Sequence, residues 1–159
     1  MDLADVTAAG GRIARRLAYR VLGVWWFLRR PHTHGVKLVI RHGDDVLFVR
    51  HAYGNRRVWE FPGGGMKRGE SPAQAARREA REELGVDITT WTEAGTVTYE
   101  DYATAHLTCL TAPLADAAVQ IHRGEIEEAR WIRGTTPPAP LGAHARAALD
   151  LPAIAALLR

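Results

Sequence analysis

Cysteine is almost missing from the 159 residues: Cys109 stands alone, so no intrachain disulfide can form and a reducing, cytoplasmic setting is favoured. It falls in an apolar, alternating stretch, which points to a buried inert thiol rather than a nucleophile. Long hydrophobic runs are missing too. The most apolar segment, residues 21–28, is far below the ~20 residues that span a bilayer. No small-residue cleavage site of secretory type accompanies it. The phosphate-cradling pattern G-x-x-x-x-G-K-[ST] does not occur. His32, His34, His42 and His51 follow no zinc spacing and read as surface or strand-end residues. No internal repeat and no long low-complexity tract is present.

What is there fits one domain with appendages: 47% hydrophobic and 25% charged residues, in a chain long enough to bury a proper core. The net charge of +3 is unevenly placed, because residues 1–31 carry +4 and the remainder −1. The basic character thus belongs to the leader, and no specific nucleic-acid partner is expected for the rest.

Residues 11–30 read as a helix stopped by Pro31. Ile13, Leu17, Val21, Val24 and Leu28 form an apolar stripe, while Arg12, Arg15, Arg16 and Arg20 lie elsewhere. Three readings stand for this basic amphipathic element, residues 12–30. It packs on its own domain or in a homodimer interface, it lies on an anionic membrane surface, or it is a targeting segment.

Residues 32–34 form a short joint. Strands are expected over 36–42 and 46–51 around the turn Gly43-Asp44-Asp45, then over 94–102 and 105–112. A polar stretch over 116–128 leads to a last short strand at 129–133. Residues 134–142, with Pro137, Pro138 and Pro140, make a stiff connector to a closing helix over 143–158, broken near Pro152. Strands and helices mixed in this way predict an α/β (α+β) domain.

The chemistry is concentrated in residues 63–86, GGGMKRGESPAQAARREAREELGV. Ser71 is a good N-cap, Pro72 suits the first helical position, Gln74 completes a capping box and Gly85 is a natural stop. Residues three and four apart share a helix face, so Glu79, Glu82 and Glu83 stand together. That like-charge cluster is unfavourable alone, and Arg78, one step round, offsets it only in part. A hard divalent cation offsets it fully, since carboxylates and water are the ligands that Mg²⁺ accepts beside phosphates. Gly63, Gly64 and Gly65 let backbone approach such an ion with no Cβ in the way, and a carbonyl of Gly63 or Gly64 can join its shell.

Gly64, five residues, Glu70, seven residues and then Arg78-Glu79-Ala80-Arg81-Glu82-Glu83-Leu84-Gly85-Val86 resembles the Nudix box at every fixed position. Ala80 is small where a larger aliphatic is usual, which bears on packing. The preceding Trp59-Glu60-Phe61-Pro62-Gly63-Gly64 is similar to the family's lead-in. The resemblance implies an α/β/α sandwich with a mixed central sheet over residues 35–133. Residues 1–34 would be its leader and 134–159 its connector and C-terminal helix.

It also implies hydrolysis of a diphosphate linked to another group X, usually a nucleoside diphosphate derivative, with Mg²⁺ or Mn²⁺. Glu82 and Glu83 would hold metal, Glu79 would bind metal or take the proton of water, Arg78 would fix Glu79, and Glu70 would support the loop. An acidic segment before the Trp131 strand resembles one in which a carboxylate assists, here Glu125 or Glu128. Arg50, Arg56 and Arg57 could meet phosphates. Trp59, Phe61 and Trp131 could stack on a base but are core residues first. Tyr102 resembles a mark of dinucleoside polyphosphate hydrolases, while the upstream signature of coenzyme A pyrophosphatases is missing. Two alternatives stay open: a membrane-associated hydrolase of a lipid or isoprenoid diphosphate, and a non-catalytic nucleotide sensor.

Overall fold

The computed structural model describes residues 32–100 and 104–158. The leader helix expected over 12–30 and Tyr102 lie outside them. Alternation of apolar side chains builds the sheet. On β1 (His32–His42), Val36, Leu38 and Ile40 face one side and Val39 the other. β1 turns through Gly43 and Asp44 into β2 (Asp45–His51), a tighter turn than the three residues expected, with Asp45 paired to His42. The remaining strands are β3 (Thr92–Glu100), β4 (Thr104–Pro113) and β5 (Ile126–Arg133), in the sheet order β3-β4-β1-β2-β5. β1 and β4 are parallel; the other neighbours are antiparallel, so the sheet is mixed.

Helix α1 (Pro72–Leu84) covers one face and α2 (Ala143–Leu149) with α3 (Pro152–Leu157) the other, giving the expected α/β/α layering. Ala75, Ala76, Ala80 and Leu84 of α1 pack on Val36, Leu38, Ile40, Leu47, Val49 and Leu110. Small alanines there, Ala80 included, let the helix lie close to the sheet. Ala145, Ala148 and Ile154 pack against Val39, Phe48, Phe61, Val97 and Cys109, so the closing helices complete the second core rather than standing apart. Cys109 is fully buried, and burial pushes its thiol up to about 11, which keeps it protonated and inert.

Every strand starts earlier than its sequence suggests, β1 and β5 by the most. β1 includes His32–His34, read above as a joint, because β4 continues opposite it as far as Thr104. β5 begins at Ile126 rather than Ala129. Its acidic residues look like loop, but on an edge strand they meet arginines: Glu128 is opposite Arg50 and bonded to it, and Glu127 is bonded to Arg56.

One irregularity positions everything that follows. β1 and β2 pair only at Arg41–Val46 and His42–Asp45 and then diverge. Residues 59–66 fill the wedge. Glu60 exchanges both backbone hydrogen bonds with Val49 of β2, while Leu38 and Val36 of β1 donate to the Pro62 and Gly64 carbonyls, all at 2.9 Å. The glycine turn is thereby pinned beside the sheet and above α1.

Candidate active site

α1 is framed by the signals read from its sequence. Ser71 Oγ accepts from the Gln74 amide at 3.3 Å, and Gln74 Oε1 accepts from the Ser71 amide at 2.9 Å. At the other end Gly85 adopts φ +68, and its amide returns to Arg81. The helix directs Glu79 and Glu83 toward the turn. Gly63 has φ +130, and a Cβ there would overlap the Val36 carbonyl; one on Gly64 would stand 2.6 Å from Glu79 Oε1. Gly63 therefore excludes a side chain, and one at Gly64 would push the Glu79 carboxylate aside. The Gly64 carbonyl accepts from Val36 and the Gly65 carbonyl from Arg78 Nη2 at 2.9 Å. Of the two carbonyls expected to reach an ion, that of Gly63 is bonded to no described group.

Glu83 is 1% exposed, and its Oε2 accepts from the Gly63 amide at 2.8 Å. Burial, with added repulsion from Glu79 and Glu125, pushes its carboxyl up to about 8 despite that amide. Glu79 is also buried and raised by burial, with Arg78 pulling it back. Arg78 joins the pieces. Its Nε and Nη2 grip Glu70 at 2.8 and 2.9 Å, and its Nη1 reaches Glu79 at 2.6 Å and Glu82 at 3.1 Å. The guanidinium holds the Glu70 carboxyl down at about 2. Glu70 also accepts from the Lys67 amide at 2.8 Å, which ties the loop to the helix. Glu82 is half exposed. Among the described residues no three acidic, histidine or cysteine side chains close into a ready cage for an ion; the carboxylates rest instead on Arg78 and the Gly63 amide.

Of the two downstream candidates, Glu125 is the one near this group. The loop carrying it is fastened to the C-terminus of α1, where Gln120 and His122 donate to the Leu84 and Glu83 carbonyls at 2.8 and 2.9 Å. Its charge raises both Glu79 and Glu83. Glu128 is instead held by Arg50 and Arg130. Trp59 has those two guanidiniums 5.1 and 5.2 Å from its ring, and Phe61 is fully buried on Phe48 with ring centroids 4.8 Å apart. Neither ring is placed to stack on a base, because the core and the arginines occupy their faces. Trp131 is packed on the first core with its Nε1 bonded to the Ala117 carbonyl. Arg50 is committed to Glu128; Arg56 pairs with Glu127, and Arg57 is exposed on the loop after β2.

The sequence reading missed three residues. His51, at the end of β2, has Nδ1 4.0 Å from Glu83 Oε1, and that nitrogen is buried without a hydrogen-bond partner. Burial, with Lys37 adding to it, lowers the imidazole to about 3, so it is neutral. Lys37 and Glu60 form a buried pair, 3.3 Å apart. The available signal was an ionisable residue inside an apolar central strand. All three line a cavity of about 930 Å³ that runs past Gly63, Gly64 and Gly65, with Tyr53, Val58, Met66 and Leu107 in its walls.

The chain is similar to known proteins in sequence and in fold. The family model described as NUDIX domain matches residues 31–149. An 8-oxo-dGTP diphosphatase from Proteus vulgaris is 46% identical over 50 residues, 31% of this chain and 44% of the relative. An RNA pyrophosphohydrolase from Mesorhizobium japonicum is 36% identical over 64 residues, 35% of this chain and 37% of the relative. The chain thus spans less than half the length of these curated relatives. The crystal structure of a MutT NUDIX hydrolase from Burkholderia pseudomallei superposes with a TM-score of 0.70 at 21% identity, covering 76% of this chain and 98% of that one.

Proposed function

The chain belongs to the NUDIX domain family, and from that premise we propose that it hydrolyses the diphosphate linkage of a nucleoside diphosphate derivative with the help of a divalent cation. The observation that carries this is the pair of buried carboxyls, Glu79 and Glu83, whose burial and mutual repulsion leave a demand for positive charge beside the glycine turn. The donor set suits Mg²⁺ or Mn²⁺: carboxylates of Glu82 and Glu83, with the Gly63 carbonyl and, from the neighbouring loop, Glu125. When bound, such an ion neutralises diphosphate oxygens and makes water a better nucleophile.

The chain's own residues supply positioning. Arg78 holds the Glu79 carboxylate at 2.6 Å while its other arm is anchored on Glu70, so Glu79 is aimed by a group that is itself fixed. Glu79 takes the proton from the attacking water or joins Glu82 and Glu83 in holding the ion. The amide of Gly63 keeps Glu83 against the turn, and the absence of Cβ atoms on Gly63 and Gly64 leaves the diphosphate a path to the carboxylates. The two relatives, an 8-oxo-dGTP diphosphatase and an RNA pyrophosphohydrolase, both act on nucleotide phosphoanhydrides, which supports that substrate class.

The test is Glu82→Gln and Glu83→Gln against a panel of nucleoside diphosphate derivatives, with and without Mg²⁺. Turnover on the best substrate is expected to fall by about 10² or more in each variant, the scale for a group that stabilises the transition state by electrostatics. Near wild-type turnover in either would remove this assignment.

A further inference from the structure

We propose that His51 is a positioning residue for Glu83: its Nδ1–H takes the second carboxylate oxygen, Oε1, and holds the group in the orientation that receives the cation. The inference rests on the ion-assisted reaction proposed above and adds a residue from outside the acidic helix. β2 delivers the ring to this place through an irregularity. Arg50 lies opposite Glu128, but the register with β5 then slips by one residue, so His51 faces Ile126 instead of Glu127. Such bulges re-aim side chains and collect beside active sites. Two residues beyond Val49, His51 lies on the same sheet face, the one that α1 covers. Its side chain is 15% exposed, and the Tyr53 ring packs on it with centroids 5.3 Å apart. The amide of the next residue, Ala52, donates to the Glu125 carbonyl at 2.8 Å. One short segment thus faces the Glu83 carboxylate with a side chain and fastens the Glu125 loop with its main chain.

The hydrogen-bonding needs of the two partners are complementary. Nδ1 of His51 is buried without a partner, and leaving a polar atom in that state costs about 1–3 kcal/mol. An apolar side chain would fill the same space without that cost, so the fold alone gives no reason for an imidazole. Glu83 Oε2 accepts from the Gly63 amide at 2.8 Å, and Oε1 lies 4.0 Å from Nδ1. Closing that gap to a hydrogen bond takes a shift of about 1 Å. Each carboxylate oxygen has a further lone pair for the ion. Carboxylates that bind metal are themselves held by hydrogen bonds, and removing such a support lowers metal affinity about 10–100-fold. With the Gly63 amide on one oxygen and His51 on the other, Glu83 cannot rotate away from the glycine turn.

The experiment is Mn²⁺ uptake by the full chain, followed by electron paramagnetic resonance, in the wild type, His51→Asn and His51→Gln. The asparagine amide reaches the position of Nδ1, whereas the glutamine amide reaches that of Nε2. His51→Gln is expected to weaken Mn²⁺ binding about ten-fold or more, and His51→Asn about three-fold or less. In parallel, long-range proton–nitrogen NMR spectra of the Mg²⁺-loaded wild type should place the ring proton on Nδ1. Unchanged affinity in both variants, equal losses in both, or a bare Nδ1 in the loaded protein overturns the proposal. If circular dichroism shows either variant unfolded, the ring-nitrogen spectrum decides alone. A wild type that takes up no Mn²⁺ removes the ion-assisted reading and this inference together. A wild-type affinity that both variants keep removes this inference only.

Discussion

Arg78 is the residue on which the candidate site hangs, since one planar guanidinium serves Glu70, Gly65, Glu79 and Glu82 at once. Lysine keeps the charge but cannot present that fork. Arg78→Lys is expected to lower stability by about 1–2 kcal/mol in urea denaturation and kcat by about ten-fold or more as Glu79 loses its aim. An unchanged kcat would show that Glu79 is aimed by something else. Glu83 and His51 make a second residue-scale prediction, for the metal-free protein. The folded state holds the Glu83 proton up to about 8 against an ordinary 4.5, so its stabilising effect is full below 4.5 and lost as pH rises through 8. His51, lowered from 6.5 to about 3, acts oppositely: its contribution is present above 6.5 and lost as pH falls toward 3. The two slopes oppose one another between 4.5 and 6.5, and from 6.5 to 8 the Glu83 slope is no longer opposed by His51, while the raised Glu79 carboxyl acts in the same direction. Calorimetry in EDTA should therefore show Tm falling over that upper window, and Glu83→Gln should flatten the fall.

At the scale of elements, α1 acts as a rigid carrier whose two ends are fixed by different means. Its N-terminus is closed by its own capping box, and its C-terminus by Gly85 and the loop that brings Glu125. Ser71→Ala removes one hydrogen bond of the box and should cost about 1 kcal/mol in urea denaturation. Turnover at saturating substrate should be retained, because Glu79 and Glu83 are held from the turn side. The wedge of residues 59–66 is the complementary element. Its lead-in motif was visible in the sequence, but the splaying of β1 from β2 that receives it was not, because register between distant strands is set by pairing partners and not by local pattern. The same limit explains β5: acidic residues look like loop until Arg50 is known to lie opposite Glu128 and Arg56, from the loop after β2, to reach Glu127.

For the whole molecule, the sheet separates two cores with different tasks. One seats α1 and its carboxylates; the other seats α2 and α3 behind Phe61. No described helix is long and apolar enough to cross a bilayer, and surface binding by the basic leader remains a reading of its sequence. It predicts that the full chain floats with anionic vesicles and a chain lacking residues 1–31 does not. If both stay in solution, that reading ends.

The carrier helix, its caps, the glycines and the face shared by Glu79, Glu82 and Glu83 were all legible along the chain, because each depends on neighbours within about one or two helical turns. Packing across the sheet was needed to show that the Gly63 rather than the Gly64 carbonyl is bonded to no described group, and that Glu125 rather than Glu128 lies near the carboxylates. It alone brought His51, Lys37 and Glu60 to one cavity. Those outcomes depend on which surfaces meet across the sheet, and burial and charge at such meetings are set by residues far apart along the chain.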